Sequence, residues 1–429
     1  MSLGQAYATP FSNYDPRAMA MGGVGVASSH SNHAANFNPA LLANNIDNFS
    51  LNLPSLGARV TDSDNLADAA QDFWDQDLVN RLSNDISSYN NSLASITPAQ
   101  TINSLKKIER AMRTLSNKLN SLSDKPLQAE TGINVGFALP GMENGSAFSI
   151  SSVASGSAIG FYRDKNLLRN VGEDINTLAT CLQQALNTQT ICNQPTLNFI
   201  DNNGQINFDP LDSTNGITSS ASARGLHLLE VSLSFAHYFP QYDLNVGITP
   251  KYVTAELFDF TADIDLANNP FLVSDYITTT ENFNADIGMS KTVKIKDNSV
   301  EVGAILKNIL PQTYRSDLGN EVTLNPQLRV GAAYRATDWA LIAVDMDVTR
   351  NNAIAFEDAS QFIGVGAEID SWGWAQWRMG YRFDMVNSDR NTFSAGLGLS
   401  PFGVHLDLAI TANSNRTEIG SALQLALRY

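Results

Sequence analysis

The chain has 429 residues, a mean hydropathy of −0.14 and a formal net charge of −16. No stretch approaches the about 18 consecutive apolar residues of a membrane helix, which excludes a bundle of membrane-spanning helices. The negative charge argues against nucleic acid as a partner, because nucleic-acid binding needs a basic surface. The first residues lack a charged region followed by an apolar core, so we expect any signal peptide to have been removed.

The first 45 residues hold two short motifs ahead of the first predicted strand. A glycine-rich run includes Gly22 and Gly23, and it is followed by Phe37, Asn38, Pro39 and Ala40. Glycine allows a chain to fold tightly inside a narrow lumen, and a large barrel leaks unless its interior is filled. We predict that residues 1–45 form a plug and residues 46–429 a barrel. The alternative is a tail that only caps the barrel.

Residues 61–130 carry apolar positions at three- and four-residue spacing, the pattern of one face of a helix. One stripe consists of Ile102, Leu105, Ile108, Met112, Leu115, Leu119 and Leu122, and an earlier one of Leu66, Ala70, Phe73, Leu78, Leu82, Ile86, Tyr89 and Leu93. Thr97, Pro98 and Gln100 predict a capping box at the start of the later helix. We predict a helical hairpin whose stripes bury one another. The alternative is a groove for a lipid-like ligand or a partner protein.

The later helix is basic within an acidic protein. Its positive residues are Lys106, Lys107, Arg110, Arg113 and Lys118. The ordinary interpretation is a solvated helix face. On an outer surface, the same charges could contact the phosphates of lipopolysaccharide.

Residues 163–224 form a second large insertion that contains both cysteines. An apolar stripe predicts a helix from Lys165 to Leu186, and Cys181 and Cys192 lie near its end. In an exported protein such a pair forms a disulfide that closes a short loop, worth about 3 kcal/mol in the chain-entropy model. Free thiols and a metal-binding pair are the alternatives.

The second half of the chain alternates between apolar and polar or small residues. Ile342, Val344 and Met346, for example, alternate with Ala343, Asp345 and Asp347. Soluble sheets with one buried face alternate in the same way, but their strands are about five or six residues long. Here the segments reach about ten residues, the length that crosses a bilayer at a tilt. The pattern therefore favours a transmembrane β-barrel.

Connection lengths support this interpretation. Tight turns are predicted at residues 141–144, 240–241, 297–298, 337–338, 371–373 and 401–403, and longer connections at residues 61–130, 163–224, 261–281, 308–325, 350–360, 386–390 and 413–417. Short and long connections alternate, as they do between the periplasmic and outer sides of a bacterial barrel. We predict an all-β fold, an antiparallel barrel of about 14 strands with helical extracellular insertions.

The last predicted strand alternates and ends on an aromatic residue. Its apolar face carries Ile419, Leu423, Leu425, Leu427 and Tyr429. An aromatic tip suits the lipid–water interface of an outer-membrane barrel. We therefore expect the protein to lie in the bacterial outer membrane, in contact with lipid.

The segment from Arg17 through Gly22 and Gly23 to Asn38, Pro39 and Ala40, ahead of a barrel of this size, resembles the N-terminal region of the FadL-like long-chain fatty-acid and hydrocarbon transporters. The same signature occurs in the related conjugal-transfer TraF-like outer-membrane proteins, and the helical first insertion fits that group at least as well. The resemblance implies a 14-stranded barrel plugged by its N-terminus. It also implies passage or binding of hydrophobic small molecules.

Charged residues on adjacent predicted strands point into the lumen. They are Arg329, Arg335, Asp345, Asp347, Glu368, Arg378, Arg382, Asp384 and Asp407. Charges away from water must be paired, so we predict ion pairs that hold the plug and narrow the pore. The alternative is a wet channel lined by charges without defined partners.

Catalysis and metal binding find little support in the sequence. Ser400, His405 and Asp407 share a predicted strand region, but a catalytic relay needs mutual hydrogen bonds that this spacing does not provide. His30 and His33 lie among Asn and Ser, which does not predict a metal site. We expect no enzyme activity, cofactor or metal. Two functions stay open: transport of hydrophobic small molecules, and a non-transporting structural or interaction role with a surface or envelope protein partner.

Overall fold

The computed structural model describes residues 7–8, 14–43, 45, 49–62, 64–189, 192, 197–212, 214–263, 273–295 and 298–428. Fourteen antiparallel strands form one closed barrel. The predicted fold class and strand number are therefore confirmed. Among the helices of the described ranges, none combines the length and the apolar character needed to cross a bilayer.

The barrel strands follow one another around the wall in sequence order. They are β1 Ser50–Asp62, β2 Leu127–Leu139, β3 Asn144–Phe161, β4 Ser220–Phe239, β5 Leu244–Asp263, β6 Ile277–Ile295, β7 Asn298–Lys307, β8 Gln327–Thr337, β9 Ala340–Asp347, β10 Phe362–Ser371, β11 Ala375–Asp384, β12 Thr392–Leu399, β13 Val404–Asn413 and β14 Glu418–Arg428. The last strand closes the barrel on the first, with Glu418 opposite Thr61 and Arg428 opposite Ser50.

Short and long connections lie at opposite rims of the barrel, as predicted. The short connections are residues 140–143, 240–243, 296–297, 338–339, 372–374 and 400–403, and the long ones are residues 63–126, 162–219, 264–276, 308–326, 348–361, 385–391 and 414–417. Because successive strands are antiparallel, every short connection falls at one end. We call the two ends the short-turn rim and the long-loop rim.

The outer wall is apolar and the inner wall is polar. Outward side chains such as Ile342, Met379 and Ile410 are 48%, 64% and 66% exposed, while inward Asp345 and Asp407 are buried. Trp339, Trp372 and Trp374 are exposed around the short-turn rim. An apolar band bordered by aromatic residues is the surface that a lipid bilayer requires.

The N-terminal segment runs through the lumen. It contains helix α1 Pro16–Ala20, helix α2 Ser31–Phe37 and a 3₁₀ turn Pro39–Leu42. The carboxylate of Asp15 caps α1 by accepting hydrogen bonds from the backbone amides of Arg17 and Ala18. Most residues from 14 to 43 are buried. Residues 14–43 therefore fill the interior of the barrel, and we call them the plug.

Four helices pack together outside the barrel at the long-loop rim. They are α3 Leu66–Gln76, α4 Leu78–Ser92, α5 Pro98–Leu122 and α6 Lys165–Thr188. The capping box of Thr97 and Gln100 is present at the start of α5. The stripe of α5 is buried against α3, α4 and α6 in one apolar core, so the stripes bury one another. We call these four helices the helical domain.

The helical domain differs from the predicted hairpin in one respect. The earlier stripe belongs to two helices, because Asp77 adopts a left-handed conformation (φ +47°) that ends α3 and precedes α4. The five-residue step from Phe73 to Leu78 marks this break in the sequence, since one helix face repeats every three or four residues. The predicted disulfide between Cys181 and Cys192 is present and ties α6 to the following loop.

A plugged barrel lumen as the candidate functional site

An ion-pair chain crosses from the plug to the barrel wall. Arg17 of α1 donates to Glu368 of β10 through Nε (2.8 Å) and Nη2 (2.9 Å). Glu368 also accepts from Arg378 Nε of β11 at 2.6 Å, and Arg378 pairs with Asp407 of β13. These side chains are largely buried. Each charge has an opposite charge beside it, as burial away from water requires.

A second anchor lies on β8 and β9. The backbone amides of Gly25 and Val26 donate to Asp345 Oδ2 at 2.7 and 3.0 Å. Arg329 Nε lies 3.9 Å from an oxygen of Asp345 and 3.4 Å from one of Asp347. Hydrogen bonds from backbone amides to a carboxylate are charge-assisted and strong. The plug backbone is thus held by a carboxylate that the strand alternation points inward.

Glycines let the plug approach the wall at β10 and β11. Gly22 has a φ of +74°, and a Cβ atom built there would lie 2.6 Å from the carbonyl oxygen of Tyr381. Across the contact, Gly364, Gly366 and Gly380 would each place a Cβ atom into the plug residues Met21 and Gly22. A side chain at any of these positions would force the plug off the wall. Gly23 also has a positive φ of +85°.

Asn38 fastens the other end of the plug. Its side-chain amide donates to the carbonyl oxygens of Val26 (2.8 Å) and Met289 (3.0 Å), and its Oδ1 accepts from the amide of Ala40 at 3.1 Å. Gly247 and Gly288 leave room for Pro39 and Asn38. This turn therefore packs on β5 and β6. We predicted Phe37 to Ala40 near the first strand, and that placement was wrong, because α2 carries the chain about 10 Å across the lumen first.

The remaining predicted charges lie either in the interior of the barrel or at the short-turn rim. Arg382 pairs with Glu418, and Asp384 lies 3.9 Å from Arg390, both in the interior. Arg335, in contrast, is exposed at the short-turn rim. Phe37 packs against the backbone of Gly25 inside the plug. Thus most of the predicted charges meet partners, and Arg335 faces water.

Sequence reasoning missed several charged residues of the lumen. Arg59 of β1 lies 3.2 Å from Glu130 and 3.3 Å from Glu418. Lys251 of β5 pairs with Glu230 at 2.9 Å and with Asp286 at 3.1 Å, and its side chain is 1% exposed. Their inward positions could have been found from the alternation of β1 and β5.

Three cavities show how far the lumen is closed. The interior one, between the plug and residues such as Arg59, Arg382 and Glu418, measures about 50 Å³, room for a few water molecules. Two wider cavities of about 460 and 340 Å³ open at the short-turn rim beside His30 and Arg335. Between these cavities, the described residues of the plug fill the lumen.

Ser400 and Asp407 have partners other than those of a catalytic relay. Asp407 is paired with Arg378, and Ser400 Oγ accepts a hydrogen bond from Gln376. His33 Nε2 lies 3.6 Å from Asp15 within the plug. Over the described ranges, no cluster of three His, Cys, Asp or Glu side chains is arranged to hold a metal ion.

The geometry defines a plugged, 14-stranded membrane β-barrel that carries a helical domain on one rim. A family model described as "F plasmid transfer operon, TraF, protein" matches residues 35–347, more than two thirds of the chain. The protein belongs to this family. The resemblance to the TraF-like group seen in the sequence is therefore confirmed.

Solved structures of similar architecture include two toluene transporters. TbuX of Ralstonia pickettii is 13% identical, with a TM-score of 0.49 over 97% of this chain and 98% of that one. TodX of Pseudomonas putida is 11% identical, with a TM-score of 0.47 over 98% of this chain and 99% of that one. The search of curated proteins found no match.

Proposed function

We propose that the protein lies in the bacterial outer membrane and binds or passes hydrophobic small molecules through a lumen gated by the plug. The observation that carries this proposal is an apolar inner wall near the long-loop rim. Inward Leu226 of β4 and Ala255 and Leu257 of β5 are only 1–3% exposed. An aqueous pore would place polar residues at its entrance, so this wall suits an apolar ligand.

A hairpin of the long-loop rim covers this apolar wall. Its strands Gln312–Arg315 and Glu321–Leu324 supply Tyr314, Val322 and Leu324, which pack on the wall residues. Polar contacts of the hairpin with the wall include Asn282 to the Tyr314 hydroxyl (3.0 Å) and Asn320 to Asp259 (2.8 Å). If the hairpin moved away, the apolar wall would be exposed to water. An apolar ligand bound in its place would bury that surface again, which is favourable.

Passage beyond this entrance needs the plug to move. The interior cavity of about 50 Å³ is too small for a ring-shaped hydrocarbon, since ligand pockets usually measure about 300–1,000 Å³. The Arg17–Glu368 pair and the amide contacts to Asp345 hold the plug closed. Toluene, the substrate named for the two transporters of similar architecture, is a suitable probe.

Binding can be tested by fluorine NMR with 4-fluorotoluene and purified protein in detergent. We expect saturable broadening of the fluorine signal that is lost in the double variant Leu226→Asn, Leu257→Asn. The matched control is Leu229→Asn on the outward face of β4, which should bind like the wild type. Heat-dependent gel mobility verifies that each barrel is folded. Equal broadening by the double variant would contradict a luminal apolar site.

A second function, a non-transporting interaction protein, is favoured by the helical domain. This domain has its own apolar core, and the family description refers to plasmid transfer. Deleting residues 64–125 and 164–218, with short linkers in their place, should abolish plasmid transfer but preserve 4-fluorotoluene binding if the domain contacts a partner. Loss of binding with intact transfer would favour transport instead.

The proposed orientation places the helical domain outside the cell. Several basic residues of α5 are already paired, such as Lys107 with Asp85 at 2.6 Å and Lys118 with Asp72. Contact with lipopolysaccharide would then involve mainly Lys106 and Arg110. Protease added to intact cells should cut within residues 106–118 and spare Pro401–Gly403. Cleavage at Pro401–Gly403 alone would invert the orientation.

A further inference from the structure

Three polar side chains on the outward face of the barrel form a hydrogen-bonded chain. Ser152 Oγ lies 2.8 Å from His227 Nε2, and His227 Nδ1 lies 2.9 Å from Glu256 Oε2. The three residues come from the adjacent strands β3, β4 and β5. The order serine, imidazole, carboxylate is the one that activates a serine nucleophile.

Strand register fixes this arrangement. His227 lies directly opposite Ala154 on one side and Glu256 on the other, and Ser152 is two residues from Ala154 on the same face. Directly opposed side chains have Cβ atoms about 4.5–5.5 Å apart, and diagonal neighbours about 7–8 Å. The neighbouring positions Leu226, Ala255 and Leu257 point into the lumen. The hydrogen-bonded side chains of Ser152, His227 and Glu256 therefore lie outside the lumen, on the outward face of the barrel.

An apolar depression lies beside the imidazole. Small residues on β2, β3 and β4 form its floor, and its volume is about 560 Å³. They are Ala129, Ala154, Gly156, Ala158, Ala223 and Gly225. Phe258 and Ile277 border it, together with His227 and Glu256. A depression with an apolar floor and few polar groups fits a hydrocarbon chain.

The position along the barrel matches the level of lipid headgroups. From His227 towards the short-turn rim, β4 presents Leu229, Val231, Leu233 and Phe235, which are exposed members of the apolar band. Close by, Tyr252 packs on Phe283 and donates to Glu281 at 2.5 Å, and such amphipathic rings suit a membrane–water interface. The His227 and Glu256 side chains are 33% and 41% exposed. Lipid ester groups lie at this level, between acyl chains and headgroups.

We propose that Ser152, His227 and Glu256 hydrolyse acyl esters of membrane lipids on the outer surface of the barrel. The sequence-based expectation of no enzyme activity concerned Ser400, His405 and Asp407, of which Ser400 contacts Gln376 and Asp407 pairs with Arg378. Ser152, His227 and Glu256 lie 75 and 29 residues apart in sequence. The strand register brings these three residues together, so no local sequence motif predicts the arrangement.

The reaction takes two balanced steps. In the first, Ser152 Oγ bonds to the ester carbonyl carbon while its proton moves to His227 Nε2, and the ester C–O bond breaks as the alcohol leaves with that proton. In the second, water attacks the acyl-serine, its proton moves to Nε2, and the Oγ–C bond breaks to release a fatty acid. The proton then returns to Oγ. Glu256 is a positioning residue that holds Nδ1–H and so leaves Nε2 free to accept.

The test uses the full-length protein in mixed micelles with a phospholipid that carries a fluorescent acyl chain. An alkyl fluorophosphonate probe is applied in parallel, and labelled peptides are identified by mass spectrometry. We expect release of labelled fatty acid and modification of Ser152. Both should disappear in Ser152→Ala, prepared identically. The matched control is Ser146→Ala, on the same strand and the same face opposite Phe235, which should keep both.

Two further variants separate catalysis from a structural role. His227→Asn should lower the rate about 10²- to 10⁴-fold, the usual contribution of a general base. Glu256→Gln should lower kcat and leave KM almost unchanged. A purely structural defect would not change kcat alone. The proposal is overturned if the wild type is not labelled at Ser152, if labelling occurs without release of fatty acid, or if Ser152→Ala releases as much as the wild type.

Discussion

The plug and the helical domain are both additions to the same barrel, but they are held in opposite ways. The plug makes its anchoring contacts with the wall, through Arg17 to Glu368, backbone amides to Asp345 and the close approach of Gly22 to β10 and β11. The helical domain is held by an apolar core of its own, in which Leu82, Leu105 and Leu115 are fully buried.

This difference predicts that the two regions respond differently to single substitutions. Each fully buried leucine of the helical domain contributes about 1.5–3 kcal/mol, and the contributions are spread over many residues. The plug is held by buried charges and also by apolar contacts with the wall, such as those of Met21 and Val24 with Leu341. Removal of one partner of a buried ion pair costs about 3–5 kcal/mol. A substitution at a buried charge should therefore loosen the plug from the wall, while a core substitution should weaken the helical domain alone.

Deleting the plug is the largest change. If residues up to Ala43 are removed, we expect single-channel conductance in planar bilayers to rise severalfold while the barrel still folds, because the plug leaves an interior cavity of only about 50 Å³. Heat-dependent gel mobility reports on barrel folding. Wild-type conductance from a folded deletion variant would mean that residues 14–43 do not close the lumen in the membrane.

Neutralising one charge of the ion-pair chain should loosen the plug from the wall, although residues 14–43 stay in the protein. Glu368→Gln leaves Arg17 without its carboxylate partner and deprives Arg378 of one of two, so we expect a loss of about 3–5 kcal/mol in plug binding. The measurements are trypsin cleavage after Arg17 and conductance. Glu143→Gln, at an exposed short turn, is the control. Protection of Arg17 equal to that of the wild type would show that the glycine and Asp345 contacts suffice.

The two regions also differ in how far the sequence predicts them. The stripes of α3 to α6 bury one another, so a period of three to four residues carries most of the information. Strand alternation likewise predicts the inward charges Arg329, Asp345 and Arg378, because side chains of a strand alternate between faces. The break at Asp77 went unrecognised, although the step from Phe73 to Leu78 marks it, and so did the inward charges Arg59 and Lys251, which the same alternation places in the lumen.

The contacts of the plug and the outward serine chain could not be predicted in this way. Arg17 and Glu368 are 351 residues apart, and no local pattern pairs them. The placement of Asn38 on β5 and β6 depends on how α2 crosses the lumen. Ser152, His227 and Glu256 meet only through the register of three strands, and sequence periodicity gives faces but not register.

A core substitution in the helical domain should act locally. Leu115→Ala removes a fully buried side chain, so we expect a loss of about 2–5 kcal/mol in the stability of this domain. Circular dichroism should show earlier melting of the helices, with heat-dependent gel mobility of the barrel unchanged. Leu186→Ala, which is 46% exposed in the wild type, is the control. Joint melting of barrel and helices would contradict the independence of the two regions.

The smallest effect concerns high pH. Tyr89 of α4 is buried and donates to the carbonyl oxygen of Gly204 at 3.0 Å, and burial raises its pKa to about 12. A raised pKa in the folded state contributes stability that is complete below the unfolded value of about 10 and is lost as the pH rises towards about 12. Helical-domain stability should therefore fall between pH 10 and 12.

Tyr89→Phe isolates this contribution. The variant lacks the titrating hydroxyl, so the stability of its helical domain should decline less across the same pH window, although it is somewhat less stable at pH 8 because the hydrogen bond to Gly204 is gone. Tyrosinate absorbance followed during the titration should lack one late component in the variant. Equal pH profiles of wild type and variant would rule out Tyr89 as the source of the decline.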